Sequence, residues 1–475
     1  MDIDQFRREA HAAVDWMADY LRDVGERRVV TDAKPGDIKR RLPAVPPEQP
    51  EPFARVMADF KEIIVPGMTH WNHPGWFAYF PANNSPPSIL AEMLTATLGA
   101  QCMSWQTSPA ATELEQVVMD WLRQLVGLPS TFHGVIQDTA STSTLVALLT
   151  ARERATKFAF GRRGAGADHA AQLTVYASRE AHSSVVKGVK LAGYGTDNLR
   201  LIDTDASFAM RPDALAVAID ADVRAGRVPA CVVATVGTTS SAGVDPLPAI
   251  CDVAAPHGAW VHVDGAYGGS AGIIPEKREL LRGLERADSF VFNPHKWLFT
   301  NFDCSAYFVR DVEALLHTFQ ASAEYLKTAH DAEVVNFRDW GIQLGRRFRA
   351  LKLWFVMRTY GAEGLRARVR EHLRLAQLFR GWVAASPDFE LLAPTHLSLV
   401  CFRARPGNGA HAEADLDALN ERLLVEINRS GRVYLTHTRL NGRYTLRMAI
   451  GQTNTDEAHV RTVWDLAQSA LEALT

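Results

Sequence analysis

Three separated residues carry the chemistry open to this sequence. Lys296 lies in Asp288-Ser-Phe-Val-Phe-Asn-Pro-His-Lys-Trp-Leu-Phe299, with apolar groups on both sides. Burial there disfavours the ammonium form, and a neutral lysine amine can attack an aldehyde. The same residue could instead pack its stem and keep its head in water. Asp264 ends Ala259-Trp-Val-His-Val-Asp264, in which residues 260–263 read as a short buried strand. The carboxyl end of a strand is where open α/β sheets bind ligands, and a carboxylate there can hold a proton on a pyridine nitrogen. A turn or helix-capping aspartate is the other reading. His182, in Arg179-Glu-Ala-His-Ser-Ser184, stands at a helix start. Its imidazole could stack on a flat ring and handle protons, or serve only structure.

Other groups could complete a site. The hydroxyl-rich turn Thr139-Ala-Ser-Thr-Ser-Thr144 precedes an apolar helix over 145–149. Hydroxyls and free N–H groups at a helix start make an anion cradle, although an ordinary cap needs only one hydroxyl. Trp71, Tyr79, Phe80 and Pro81 form an aromatic patch that can grip an aromatic side chain or simply join the core. Gly268-Gly-Ser270-Ala-Gly272 matches the Gly-x-Ser-x-Gly pattern of serine hydrolases. That motif needs its serine on a sharp turn directly after a strand; here several residues intervene and Pro275 follows. Gly161, Gly164 and Gly166 lack the βαβ setting of a dinucleotide site. There is no Cys-x-x-Cys and no His-Glu-x-x-His, so no metal is expected.

The elements that must position these residues alternate along the middle of the chain. Short apolar runs at 173–177, 230–236, 260–263, 289–292 and 306–309 lack strict alternation, as strands covered on both faces do. With helical stretches between them they predict an α/β layered unit over 86–355. Ahead of it, residues 5–24 carry Phe6, Ala10, Val14, Met17 and Leu21 on one helical stripe, and a proline-rich connector runs over 42–53. Residues 1–85 cannot bury much alone and are expected to pack on something else. Residues 356–475, with strand candidates at 397–403 and 444–450, predict a smaller α+β unit. Loops are expected at 161–168 and 405–410.

The chain has 475 residues, 47% hydrophobic and 22% charged, with a formal net charge of -3. That length suits two or three domains, and the mixed charge gives no basis for nucleic-acid binding. No apolar run reaches the length of a membrane span, and no secretory signal is visible. Five scattered cysteines fit a reducing, cytoplasmic setting.

The motifs taken together resemble the pyridoxal-phosphate-dependent group II amino-acid decarboxylases, and above all those acting on aromatic L-amino acids. Besides the segments around His182, Asp264 and Lys296, the resemblance rests on His73-Pro-Gly-Trp-Phe-Ala-Tyr-Phe-Pro81, Ser104-Trp-Gln-Thr-Ser-Pro-Ala-Ala-Thr-Glu-Leu-Glu115 and Gly134-Val-Ile-Gln-Asp-Thr-Ala-Ser141. It rests also on Asn301-Phe-Asp-Cys-Ser305 and Leu344-Gly-Arg-Arg-Phe-Arg349, and it runs from about residue 6 to about residue 471. The resemblance implies a fold-type I enzyme, a homodimer with its active site at the subunit interface, and an N-terminal segment lying across the partner. It implies that Lys296 tethers pyridoxal phosphate, Asp264 holds the pyridine nitrogen and His182 stacks on the ring. Thr139, Ala140, Ser141 and Asn293 would hold the phosphate, Thr239 would support the cofactor near Asp264, and Ala266 would lie against its face. His295 would help release the lysine, or contact phosphate or backbone.

In the polar stretch 322–331, which reads as a loop closing over the site, Tyr325 would protonate the carbon that loses carbon dioxide. Relatives with phenylalanine there make an aldehyde instead. Gly265, beside Ala266, replaces the alanine often seen there; the other departures fall on substrate choice: Gln101 and Met103 stand where animal relatives carry apolar and aromatic residues, and Asn72 replaces a histidine. Gly345 resembles the position that separates indole from phenol substrates in plant relatives, glycine leaving more room. A firm arginine contact to the leaving carboxylate would stabilise the charged ground state, so Arg447 reads as structural.

Overall fold

The computed structural model describes residues 1–164, 172–320, 330, 333–407 and 412–475. Seven strands form one sheet: β1 (His133–Gln137), β2 (Leu173–Ser178), β3 (Leu199–Ile202), β4 (Val228–Thr235), β5 (Trp260–Asp264), β6 (Ser289–Phe292) and β7 (Ser305–Val309). Their order is β1-β7-β6-β5-β4-β2-β3. Strands β2 to β6 pair in parallel, while β7 is antiparallel to both β6 and β1. Six strands therefore run one way and β7 alone runs back. Every residue of β2, β5, β6 and β7 is buried, which is why these runs carry no polar alternation.

This topology brings distant pieces of sequence to one edge. The carboxyl ends of β1, β2, β4, β5 and β6 open on the same side. From them emerge residues 138–141, 179–182, 236–239, 265–266 and 293–296, the segments singled out above. Helices Ala140–Ala155 and Ser183–Leu191 begin at that edge.

Four antiparallel strands make a second sheet: β8 (Phe389–Leu391), β9 (Leu399–Ala404), β10 (Thr436–Leu440) and β11 (Arg443–Ala449), in the order β10-β11-β9-β8. The helix Arg349–Ala385 runs from the first sheet to the second across residue 355, broken at Gly361 (φ 64°). Helix Ile3–Asp23 has no buried residue within one chain.

Several expectations need adjusting. The turn at 139–141 is already helix: Thr139 is the cap, and Ala140 and Ser141 form the first turn. The loop expected at 161–168 begins with a short helix, Phe160–Arg163, ended by Gly164 at φ 75°; residues 165–168 lie outside the described residues. Strands β1, β3, β8 and β10 were not marked by apolar runs.

Candidate active site

Lys296 sits on the one-turn helix Pro294–Trp297 directly after β6. Proline at the first helical position suits that start, where no N–H is needed. Part of the lysine meets the cleft, but its amine is enclosed enough that burial lowers its pKa, with the Asp264 carboxylate pulling the other way. The Nζ atom stands 5.4 Å from the centre of the Phe80 ring. Phe80 stacks on Tyr267 (3.8 Å between centroids), and Tyr267 on Trp297 (4.8 Å). These rings exclude water from one flank of the amine.

Asp264, the last residue of β5, is buried. Its Oδ1 accepts the Ala266 N–H at 2.9 Å, which turns the chain sharply and leaves Oδ2 for another donor. Ala266 is itself half-buried on the cleft side, and its carbonyl accepts the Asn293 N–H (3.0 Å), tying the Asp264 turn to the lysine turn. Thr235 pairs with Asp264 across the sheet, and its buried Oγ1 has no hydrogen-bond partner among the described residues. The same holds for Oδ1 of Asn293.

His182 caps the helix Ser183–Leu191 by accepting the Ser184 N–H at Nδ1 (3.1 Å). The neutral ring therefore carries its proton on Nε2. Its pKa is held down by partial burial; the charge on Lys296 lowers it further and that on Asp264 raises it. His182, Asp264 and Lys296 thus share one electrostatic environment although they come from three strands.

Thr139, Ala140 and Ser141 form the amino end of the 16-residue helix Ala140–Ala155, with Thr139 Oγ1 accepting the Thr142 N–H. Asp138 accepts the Thr139 N–H at 2.5 Å. Unused N–H groups and the Ser141 hydroxyl remain to face an anion. Thr239 is exposed at the end of the loop after β4, and its carbonyl accepts from Arg447 (2.6 Å). His295 is buried and accepts the Cys304 N–H at Nδ1 (2.9 Å).

The expected substrate residues fall into two groups. Trp71, Tyr79, Phe80 and Pro81 lie together: Trp71 and Tyr79 are exposed and stacked (5.7 Å), and Phe80 and Pro81 are buried behind them. Gln101 meets Gly345 and Arg346, and Met103 meets Arg338. Gln101 Oε1 accepts the Arg346 N–H (2.9 Å), the Met103 carbonyl accepts the Arg338 N–H (2.9 Å), and a β-carbon on Gly345 would stand 3.3 Å from Gln101 Nε2. Tyr325 lies outside the described residues.

The hydrolase pattern is a packing motif. Ser270 is fully buried inside the 3-10 helix Gly268–Ile273. A β-carbon on Gly268 would come within 2.5 Å of the Val236 carbonyl, so glycine lets the loops after β4 and β5 touch backbone to backbone.

Sequence reasoning passed over Asn83. Its N–H donates to the His295 carbonyl (2.8 Å), and its Nδ2 to the carbonyls of Lys296 (2.8 Å) and Gly451 (2.6 Å). Thr453 donates back to its Oδ1 (3.0 Å from N–H, 2.8 Å from the hydroxyl). The only signal was a pair of asparagines directly after the aromatic block.

A buried amine able to condense with an aldehyde, a carboxylate with a free oxygen, an imidazole able to cover a ring and a helix start open to an anion fit pyridoxal phosphate. The two orphaned polar atoms, on Thr235 and Asn293, fit a group that is polar at its rim. Fold and site together define a fold-type I pyridoxal-phosphate enzyme. Residues 35–405 match the pyridoxal-dependent decarboxylase conserved domain, and the chain belongs to that family. It is 43% identical to tyrosine decarboxylase 1 of Narcissus pseudonarcissus, over 100% of this chain and 94% of that protein. It is also 43% identical to a phenylacetaldehyde synthase of Arabidopsis thaliana, over 98% and 96%. The solved structure of Oryza sativa TDC with PLP and tryptamine superposes with a TM-score of 0.96 at 40% identity, over 100% of this chain and 99% of that one. No helix among the described residues is long and apolar enough to cross a membrane.

Proposed function

We propose that this carboxy-lyase converts an aromatic L-amino acid to its amine and carbon dioxide. The observation that carries the reading is the buried Lys296 amine set against Asp264 and His182 at one sheet edge, with the Phe80 ring beside it. Pyridoxal phosphate, when bound, supplies an aldehyde for amines and an electron sink for the pair left as carbon dioxide departs. Lys296 would hold that aldehyde and release it to the substrate amine. Asp264 would keep the ring nitrogen protonated through its free oxygen. His182 would cover the ring, Ala266 would leave it room, and Thr139, Ala140, Ser141 and Asn293 would receive the phosphate. Thr239 supports the cofactor near Asp264, and His295 offers an Nε2–H donor beside the lysine. Trp71, Tyr79, Phe80 and Pro81 grip the aromatic side chain and so fix the substrate relative to the ring. Tyr325 returns the proton.

The protein acts as a homodimer with the site at the subunit interface. One observation supports this: helix Ile3–Asp23 has no buried residue within its own chain although one face carries Phe6, Val14 and Met17; on this reading Gln101, Met103 and Gly345 belong to the partner's site. They reach a substrate from across that interface. Residues 1–85 wrap the partner, 86–355 form the cofactor-binding unit and 356–475 the smaller one, with helix Arg349–Ala385 spanning the two. Five buried free cysteines support a cytoplasmic location.

The test is a panel of Dopa, 5-hydroxytryptophan, tryptophan, tyrosine and phenylalanine on purified holoenzyme, scored for amine, carbon dioxide, aldehyde and peroxide. Amine and carbon dioxide in equal amounts are expected. Aldehyde with peroxide as the main products would move the chain to the aldehyde-forming branch; no turnover of any of the five would end the aromatic reading.

A further inference from the structure

Arg447 stands on β11 and is buried. A buried guanidinium ordinarily meets a carboxylate. This one instead donates to neutral oxygens on three separate segments. Its Nη2 donates to the carbonyls of Thr239 (2.6 Å) and Tyr79 (3.4 Å), its Nε to the Ser240 carbonyl (3.2 Å), and its Nη1 to Thr436 Oγ1 (3.1 Å). Thr436 Oγ1 in turn accepts the Tyr79 N–H (3.2 Å). The guanidinium carbon lies 5.4 Å from the Phe80 ring centre, the same ring that Lys296 approaches. Tyr79 has a φ of 52°, a left-handed conformation that a tyrosine keeps only when its surroundings hold it.

We propose that Arg447 is a positioning residue for substrate choice, and that it does not bind the substrate carboxylate. It ties the loop after β4, at Thr239 and Ser240, to the Tyr79–Phe80 turn, and so sets how far the turn that receives the aromatic ring stands from the loop that supports the cofactor. Three of its five N–H directions are committed to the carbonyls of these two segments and a fourth to the Thr436 hydroxyl, which leaves it poorly placed to turn toward a carboxylate. The second sheet thereby acts on the first: Thr436 on β10 and Arg447 on β11 hold a turn that lies more than three hundred residues away in sequence. The inference rests on the aromatic amino-acid reading above.

An amine product has the same ring as its amino acid but no carboxylate, which separates the two roles. Holoenzyme of the wild type, Arg447→Met, Arg447→Lys and Thr436→Val is titrated calorimetrically with the aromatic amine that the wild type releases, tryptamine or tyramine. The KM of the matching amino acid is measured alongside. Arg447→Met is expected to weaken both by a similar factor, about tenfold. Thr436→Val, which keeps the charge of Arg447, is expected to shift both in the same direction by about threefold. Loss confined to the amino acid, with amine binding unchanged, would assign Arg447 to the carboxylate and overturn the proposal. Lower thermal stability with both constants unchanged would reduce it to a scaffold residue and overturn it equally. Should Arg447→Met not fold, Arg447→Lys and Thr436→Val decide the matter by the same comparison. A wild type that releases no aromatic amine would be a failure of the functional reading, visible before any variant is made.

Discussion

The backbone N–H of Cys304 donates to Nδ1 of His295 across 2.9 Å. The ring of His295 is thereby fixed with its proton on Nε2. Burial, reinforced by the charge of Lys296, pushes its pKa down to about 3. At any working pH this histidine is a neutral hydrogen-bond donor. Replacing His295 with Gln is expected to lower kcat and leave the pH midpoints of kcat where they are, because no titration is removed. Loss of a limb between pH 5 and 9 in the pH profile would contradict that role.

Lys296→Ala is expected to abolish the yellow cofactor colour that persists through gel filtration, and to reduce turnover by on the order of 10³-fold or more. Absorbance after desalting and single-turnover carbon dioxide release would measure both. Retained decarboxylation near the wild-type rate would remove Lys296 from the site.

Asp264→Asn takes away the charge that favours the Lys296 ammonium. On the function proposed above, it would strip the cofactor ring nitrogen of its counter-charge as well. Turnover is expected to fall by about 10²-fold or more, while the amine product still binds. Equal losses in amine affinity and turnover would point to collapse of the β5 turn instead.

Gly345→Ser places a side chain where a β-carbon stands 3.3 Å from the Gln101 amide. The kcat/KM ratio of tryptophan to tyrosine is expected to fall by about tenfold, the scale of a small steric change in an apolar pocket. A ratio that stays within a factor of two would take this position out of ring selection.

Four of the buried histidines among the described residues are held strongly to the neutral form. Burial pushes His73, His262 and His372 down to about 4 and His295 to about 3, from an ordinary value of 6.5. The unfolded chain gains their protons near pH 6.5, and the folded chain does so only well below it. Their stabilisation is therefore whole above pH 6.5 and is lost as pH falls toward 4, by about 2 kcal/mol per histidine at pH 5. His372, which accepts the Trp297 indole N–H (2.9 Å), is a convenient probe. In His372→Gln the difference in unfolding free energy between pH 7 and pH 5 is expected to shrink by about that amount. An unaltered difference would mean the ring is already charged in the fold.

How much of this could be read in the sequence depends on how locally each residue is determined. Lys296, Asp264 and His182 sit beside strand ends, so a buried run followed by a polar residue announces them. Strands β2, β4, β5, β6 and β7 were legible because burial on both faces leaves continuous apolar runs. Strand β3 was not, since only its last residue is fully buried, and β10, Thr-His-Thr-Arg-Leu, likewise buries only its last residue, Leu440. Asn83 escaped for a different reason: its partners lie as far as 370 residues along the chain, and although Arg447 read as structural, its link to Tyr79, 368 residues away, did not show. An asparagine or arginine does not disclose its partner by its type. The grouping of Gln101 with Gly345 likewise depends on how the chain folds back at Arg346, which no periodicity announces.

The triple clasp made by Asn83 has a practical corollary for anyone shortening the gene. A fragment starting after residue 85 would keep all seven strands of the main sheet, yet it would have lost an amide that staples the Lys296 turn to both the leading arm and the trailing lobe. Such a trimmed product could look well folded by circular dichroism and still be unable to retain its prosthetic group.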